Sequence, residues 1–439
     1  MTVSDAYLVP QMRPLHPRRS SILSVLDVGS TKTVCLIARL KPNEKMEQFP
    51  GRTHSIEVLG YGHQRSLGVK SGLIVDIDAA ERAVRNAVDA AEKMAGITIE
   101  SLILPISAGR LASKTFAATV RLDGEEVTDN DLTRVLGAGS AHACDTGRAV
   151  LHTIPISYSL DGHRGIDDPR GMVADKLSVD MHVVTADIAP LRNLELLVNR
   201  CHLDVETVVA GSYAGALSVL ADDETNLGVA HIDMGGGTTS IALFAEGTCV
   251  HVESIPIGGR HVTVDIARAL TTSFDNAERL KTLHGGTVSG AADEREILTV
   301  PTVASNSDDD APLQIPRSSL VEIIRPRIEE TLELIRDRVS ASGYAGRIGG
   351  RVVLSGGASQ LPGIAELTSQ IVGRTVRYGR PLGISGLPAE GRGPALATAA
   401  GLLIYPQVAE LEQMTAIPGH QRVGGGYLSR VSQWLRESF

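Results

Sequence analysis

The sequence predicts an α/β protein of two related lobes, each built around its own strand-turn-strand hairpin. Three observations predict this. At 439 residues the chain exceeds the usual size of one domain. A short motif occurs twice, about two hundred residues apart: "DVGSTKT", with Asp27, Gly29, Ser30, Thr31 and Lys32, and "DMGGGTT", with Asp233, Gly235, Gly236, Gly237, Thr238 and Thr239. Each copy is followed by an apolar strand pattern, "VCLIARL" and "SIALFAE", and helical periodicity alternates with strand runs through both halves.

From Ser21, "SILSVLDVGS" and "TVCLIARL" read as a hairpin and "IEVLGYGH" as a third strand. "DIDAAERAVRNAVDAAEKMAG" puts Ala83, Val84, Ala87, Val88 and Ala91 on one helical face, with Asp76 or Asp78 as cap and Gly96 as stop. Short strands and the polar turn "SLDGHRGIDDPRGM" interrupt the pattern until "KLSVDMHVVTAD", which predicts an inserted subdomain at 101–185. Helices follow in "APLRNLELLVNRC" and "GSYAGALSVLA" before the second hairpin. "PTVASNSDDDAPLQIP" (301–316), acidic and bounded by prolines, reads as a flexible surface loop. After "LATAAGLLIY" the periodicity dissolves into a glycine-containing linker, and the chain ends in "YLSRVSQWLRESF".

Composition narrows the function. The formal net charge of −9 argues against a general nucleic-acid binder. The four cysteines, Cys35, Cys144, Cys201 and Cys249, lack CxxC spacing and read as reduced thiols. No HExxH occurs, and the grouping His142, Cys144 and His152 reads as a coincidence of loop and strand, not a ligand set. Neither the first twenty residues, which contain arginines and prolines, nor any later run reads as a signal peptide or a spanning helix.

Two Asp-Gly hairpins from facing lobes suit a nucleoside triphosphate. Glycine N–H groups approach phosphate oxygens without a Cβ in the way, Ser30, Thr31, Thr238 and Thr239 add hydroxyl donors, and Lys32 adds a cation for the β- and γ-phosphates. Asp27 and Asp233 would repel phosphate directly, but both can hold a magnesium ion through its own waters. The expected ligands are therefore ATP and Mg. A single Asp-Gly pair is also an ordinary hairpin turn, so the weight lies in the repetition. In "RVVLSGGASQLPGI" a strand enters Gly356-Gly357-Ala358 and then a helix, a geometry in which backbone lies flat against adenine and ribose. In "NAERLKTL", Glu278 and Lys281 share a helix face, where they suit ribose hydroxyls and the base, or form an exposed ion pair.

This set, in this order, resembles the actin, hexokinase and heat-shock chaperone ATPase superfamily, and within it the FtsA family of bacterial cell division, over nearly everything from Ser21 onward. The stretches that carry the resemblance are "LDVGSTKT", "HTIPISYSLDG" with "KLSVDMHVVTA", "HIDMGGGTTSIALF" and "LSGGASQLPGI". It implies an actin-like two-lobed fold with duplicated βββαβα cores. The implied division is a flexible tail at 1–20, subdomain IA at 21–100 and 186–223, and an inserted IC at 101–185. IIA follows at 224–260 and 346–405, where a return helix to IA ends it, with IIB at 261–345, a linker at 406–426 and an amphipathic helix at 427–439. It also implies filament formation with other copies of the chain, other division proteins as partners, and binding of the FtsZ C-terminal tail through Arg327 in "IIRPRIEE", at the head of a IIB helix. The location implied is the cytoplasmic face of the inner membrane at the division site.

Relatives that hydrolyse ATP briskly place a glutamate or glutamine where this chain has Ala210, Gly211 and Ser212, and no carboxylate base for a kinase is evident, so ATPase activity is expected to be slow at most. The last thirteen residues put Tyr427, Leu428, Val431, Trp434, Leu435 and Phe439 on one face with arginines at its flank, which suits the plane of a bilayer interface. Six anchors give roughly 10 kcal/mol gross, against about 1 kcal/mol per residue for ordering the helix, so one copy binds lipid weakly and a filament gains by avidity. An actin homologue of pilus assembly related to PilM and a small-molecule phosphotransferase are the alternative readings, with a chaperone ATPase further off.

Overall fold

The computed structural model describes residues 9–12, 15–43, 52–140, 147–302 and 312–413. The first lobe opens with the meander β1 (Ser21–Val28), β2 (Lys32–Pro42) and β3 (His54–Arg65). The short β4 (Val69–Lys70) and β5 (Leu73–Ile74) lead to α1 (Ile77–Ala95) and β6 (Ser101–Ile106). α1 begins and ends where its sequence predicts: the Asp76 carboxylate accepts the Ala79 N–H at 3.0 Å, and Gly96 turns left-handed at φ 67°. The inserted unit contains β7 (Ala112–Arg121), α2 (Asp129–Ser140), β8 (Arg148–Leu160), β9 (His163–Ile166) and β10 (Lys176–Asp187). The chain returns through α3 (Ile188–Arg200), β11 (Asp204–Ala210), α4 (Gly211–Val219) and α5 (Asp222–Leu227).

The second lobe repeats the meander as β12 (Val229–Met234), β13 (Thr239–Ala245) and β14 (Thr248–Ile255). It continues with α6 (Gly259–Ala269), α7 (Phe274–His284), β15 (Ile297–Val300), β16 (Leu313–Pro316) and α8 (Arg317–Ala341). β17 (Arg351–Ser355), a 3-10 turn over Gly357–Gln360, α9 (Ile364–Val372) and β18 (Thr375–Tyr378) complete it, and the chain then returns to the first lobe through β19 (Ile384–Ser385) and α10 (Ala397–Gln413).

Sheet order exposes the duplication. The first large sheet runs β19-β3-β2-β1-β6-β11, and the second runs β14-β13-β12-β17-β18, so the two share a five-strand pattern to which the first adds β19 at its edge. In each, a hairpin strand pairs in parallel with the strand of a later crossover, β1 with β6 and β12 with β17. Both hairpins therefore emerge at corresponding places on their sheets, and α10 returns from the second lobe to pack on α4 of the first. The inserted unit has a sheet of its own, β7-β10-β8-β9, and a separate core around Leu132, Val135, Leu136, Leu177 and Met181.

Several boundaries move. β6, which the sequence reading put inside the insert, pairs in parallel with β1 and β11, so the insert begins after it. Val9 and Met12 are buried in the core of the first lobe with Leu15 packed beside them, so this part of the first twenty residues is not a free tail; its apolar side chains outweigh its prolines and arginines. Of 301–316, Leu313–Pro316 is a strand paired with β15. The expected linker from 406 is helix up to Gln413, because Ala409 and Glu412 remain buried and carry α10 past Pro406. Likewise Pro326 lies well inside α8, on its exposed side where a lost backbone bond is solvated, so Arg327 stands in mid-helix and not at its head.

Candidate functional site

The two hairpins close in the same way. The Gly29 N–H donates to the Lys32 carbonyl at 3.0 Å and the Gly235 N–H to the Thr238 carbonyl at 2.9 Å. Their tips then meet across the lobes. A Cβ at Gly236 would stand 2.4 Å from Thr31 Cγ2, and one at Gly237 would stand 2.2 Å from Ser30 Oγ. At contacts this short a side chain fits only if the opposite hairpin shifts. The glycines expected to lie against phosphate thus first admit the hydroxyl residues of the opposite hairpin, a relationship between distant segments that no local pattern reveals. Ser30 Oγ also accepts the Gly72 N–H at 2.8 Å, which ties the first tip to the turn between β4 and β5.

Around this junction lies a cavity of about 250 Å³ lined by Asp27, Gly29, Ser30, Thr31, Lys32, Asp233, Gly235, Gly236, Gly237, Thr238, Gly356 and Gly357. A second cavity, of about 430 Å³, is lined by Glu278, Lys281, Gly357 and Ala358 and shares Thr31, Gly236, Gly357 and Gln360 with the first. Together they offer a polar end and a helix-lined end, in the size range of small-ligand sites. Glu278 and Lys281 form an ion pair at 2.7 Å, and the ammonium also reaches the Gly259 carbonyl at 3.1 Å and Thr263 Oγ1 at 2.8 Å.

The two aspartates dominate the electrostatics. Burial pushes the Asp27 carboxyl up to about 6, opposed by Lys32 and reinforced by Asp233. Asp233 is also raised by burial, opposed by the Thr398 hydroxyl at 3.0 Å, by Lys32, and by Ser355 at 3.4 Å. Burial lowers Lys32, against the pull of both carboxylates, and its ammonium donates to the Ala395 carbonyl. Two half-buried carboxylates thus share one ammonium, which leaves a negative charge uncompensated in a poorly solvated place. A divalent cation that keeps its water shell fits this donor set.

Two residues expected at the nucleotide sit differently. Thr239 is buried and donates to the Ile257 carbonyl at 2.8 Å, so its hydroxyl fastens β13 to the turn before α6 and does not line either cavity; strand alternation turns it inward after Thr238. Gly356 lines the cavity, but its φ of +85° and a Cβ position 2.4 Å from both Asp233 Oδ1 and the Met234 carbonyl oxygen make it a glycine on account of the chain packed against it. The open approach belongs to Gly357, whose Cβ position meets nothing within 4 Å. Arg327, outside these cavities, donates to Asp265 at 2.6 Å and to Glu330.

Thr398, Ser355, Thr263, Gln360 and the Ala395 carbonyl were not singled out in the sequence. Only Thr398 carried a signal, as a hydroxyl within the apolar run "ALATAAGLLIY". Among the described residues no grouping of side chains forms a metal cluster. His152 instead accepts the Ala210 N–H and contacts Glu412, while His142, Cys144 and the amphipathic face of Leu428, Val431, Trp434, Leu435 and Phe439 lie outside the described residues. Cys35, Cys201 and Cys249 are free and buried.

Comparison with known proteins agrees with this architecture. A family profile described as "Cell division protein FtsA" matches residues 230–401, and one described as "SHS2 domain inserted in FTSA" matches 108–185, which spans the inserted sheet. The chain is 55% identical over 433 residues to the cell division protein FtsA of Rhizobium meliloti (strain 1021), covering 98% of each chain. It is 34% identical to that of Pseudomonas aeruginosa and 30% identical to that of Escherichia coli (strain K12), in each case over 94% of this chain and 97% of the relative. Among solved structures, a chain of the PilM-PilN type IV pilus biogenesis complex superposes with TM-score 0.59 at 15% identity, covering 88% of this chain and 98% of that one. MreB 5 of Spiroplasma citri bound to AMPPNP gives TM-score 0.51 at 12% identity, over 89% and 97%. These two establish a shared actin-like fold. With its duplicated hairpin lobes, its inserted sheet between β6 and α3, and relatives matched over nearly their whole length, the chain belongs to the FtsA family of actin-like cell division proteins.

Proposed function

We propose that this cell division protein binds ATP with Mg between its lobes, assembles into filaments, and ties the FtsZ ring to the cytoplasmic face of the inner membrane through residues 427–439. The observation that carries the nucleotide reading is that Asp27 and Asp233, both half-buried, line one cavity with Lys32 as their shared cation. Asp27 and Asp233 would hold the ion through its waters, which neutralises phosphate charge. Gly29, Gly235 and Gly357 present backbone to the ligand, and Thr31, Lys32 and Thr238 line the phosphate end. Glu278 and Lys281 line the nucleoside end.

ATP acts here as a ligand that fixes the relation of the lobes more than as a substrate. Ala210, Gly211 and Ser212 carry no side chain that orients a water, and Ser212 Oγ donates to the Ile241 carbonyl at 3.1 Å. A turnover on the order of 10 per second would contradict this reading. Among the described residues no helix is long and apolar enough to cross a membrane, so attachment rests on the terminal amphipathic pattern.

Co-pelleting with anionic liposomes, with and without MgATP and an FtsZ tail peptide, tests the whole proposal. The full chain should pellet and retain the peptide, more so with MgATP, and a chain ending at Gly426 should stay in solution. Equal pelleting of the two chains would refute the membrane role, and absence of nucleotide affinity by calorimetry would refute the ATP role.

A further inference from the structure

The first turn of α4 is held from four sides by elements far apart in sequence. His152 of the insert accepts the Ala210 N–H on Nε2 at 2.9 Å, and His231 Nδ1 lies 2.9 Å from the Ser212 carbonyl. Ser212 Oγ donates to Ile241, and Thr398 Oγ1 lies 3.5 Å from the Gly211 carbonyl. Because Nε2 of His152 accepts a backbone proton, the ring proton sits on Nδ1, which donates to Glu412 Oε2 at 2.8 Å. Tyr405 donates to the same carboxylate at 3.1 Å, and the Tyr213 ring packs edge-on against His152 at 5.0 Å. His152 is 1% exposed and Glu412 9% exposed, so this cluster is interior and its bonds are worth more than surface ones.

The cluster leads directly to the cleft. Thr398 has one hydroxyl proton and two acceptors within reach, Asp233 Oδ2 at 3.0 Å and the Gly211 carbonyl at 3.5 Å. Whatever changes the charge on Asp233 changes which acceptor competes better, and Gly211 adjoins the N–H that His152 holds. At the other end Glu412 lies in the last turn of α10, from which the chain continues to residue 414.

We propose that Asp233, Thr398, the first turn of α4, His152 and Glu412 form a coupling device, by which filling the nucleotide and cation site changes the rigidity of the last turn of α10. The proposal rests on the MgATP reading above. Its function is to let the cleft report its occupancy to the root of the C-terminal segment. Coupling of this kind is reciprocal, so loosening Glu412 must alter nucleotide affinity by the factor through which nucleotide alters the helix end.

Hydrogen exchange on the full chain, with and without MgATP, tests it. In the native chain MgATP should slow exchange at the hairpin amides of residues 28–32 and 234–239 and also, at least about fivefold, at residues 407–413. Glu412→Gln and Glu412→Ala should keep the hairpin response and lose the helix response, with a matching shift in nucleotide affinity by calorimetry. Hairpins that respond while 407–413 do not would overturn the coupling and leave the ATP reading intact. No response in either region would overturn both. Should Glu412→Ala fail to fold, the native chain alone still decides.

Discussion

Thr31 of the first hairpin occupies the place where a side chain at Gly236 of the second would stand, with its Cγ2 2.4 Å from the ideal Cβ position. Gly236→Ala should therefore force the tips apart, at a cost of about 1–3 kcal/mol, and weaken MgATP binding about tenfold or more. Thr31→Ala in the same chain removes Cγ2 and Oγ1 and should recover part of the thermal stability. Calorimetry and melting curves of the two single variants and the double variant measure the pairwise term. Strict additivity would show that the tips do not meet.

Asp27→Asn should separate charge from shape. Its half-buried carboxylate is desolvated at a cost, so the metal-free variant should melt at the native temperature or above. The extra stabilisation that MgATP gives the native chain should largely disappear. Thermal shift titrations with MgATP and with ATP plus a chelator read both effects, and an undiminished Mg-dependent shift would remove Asp27 from the site.

The insert docks on the edge strand of the second lobe. His182 Nδ1 lies 2.9 Å from the Cys249 carbonyl, and Ser113 Oγ lies 2.8 Å from the Val252 carbonyl and 2.7 Å from its nitrogen. Burial lowers His182 from 6.5 to about 3. With the folded value depressed, the unfolded chain binds the proton first, so this contribution is present above pH 6.5 and declines as pH falls toward 3. Once corrected for the intrinsic rate at each pH, amide protection at residues 249–252 should fall as pH drops from 7 to 5, and His182→Asn should flatten that fall.

Glu224 ties α5 to β17 and β18. Burial raises its carboxyl, but hydrogen bonds from Arg377, the Ala221 N–H and Arg351 outweigh this and hold it down at about 2. The stabilisation is complete above 4.5 and is lost as pH falls toward 2. Glu224→Gln should cost on the order of 2 kcal/mol at neutral pH and make the acid limb of the stability curve shallower. Chemical denaturation at pH 7 and pH 3.5 checks it; parallel curves for the two proteins would refute the assignment.

Arg327 already has two carboxylates, Asp265 at 2.6 Å and Glu330. If Arg327 receives the FtsZ tail, as the family resemblance implies, Arg327→Ala should reduce affinity for an FtsZ tail peptide at least about tenfold, the cost of losing a charged hydrogen bond at an interface. Glu330→Gln frees donors of the guanidinium and should leave affinity equal or higher. Fluorescence anisotropy with labelled peptide reads both, and native affinity in Arg327→Ala would move the peptide site elsewhere.

What was legible in the sequence is what short-range physics encodes. The Asp76 cap and Gly96 stop of α1, the two Asp-Gly hairpins, the strand running into Gly356 and the pairing of Glu278 with Lys281 all lie within a few residues of their partners, where periodicity and turn chemistry settle the outcome. The repeat of the hairpin motif foretold two lobes because two copies of one pattern build the same sheet twice.

Tertiary structure alone decided which atoms meet. Gly236 faces Thr31, Gly356 faces Asp233, Lys32 donates to Ala395, and His152 binds Glu412, each across a hundred residues or more. A one-dimensional pattern records which groups face the core but not what stands opposite them. The same limit explains Thr239, turned inward by strand alternation, and α10, carried past Pro406 because Ala409 and Glu412 had a buried place waiting in the first lobe.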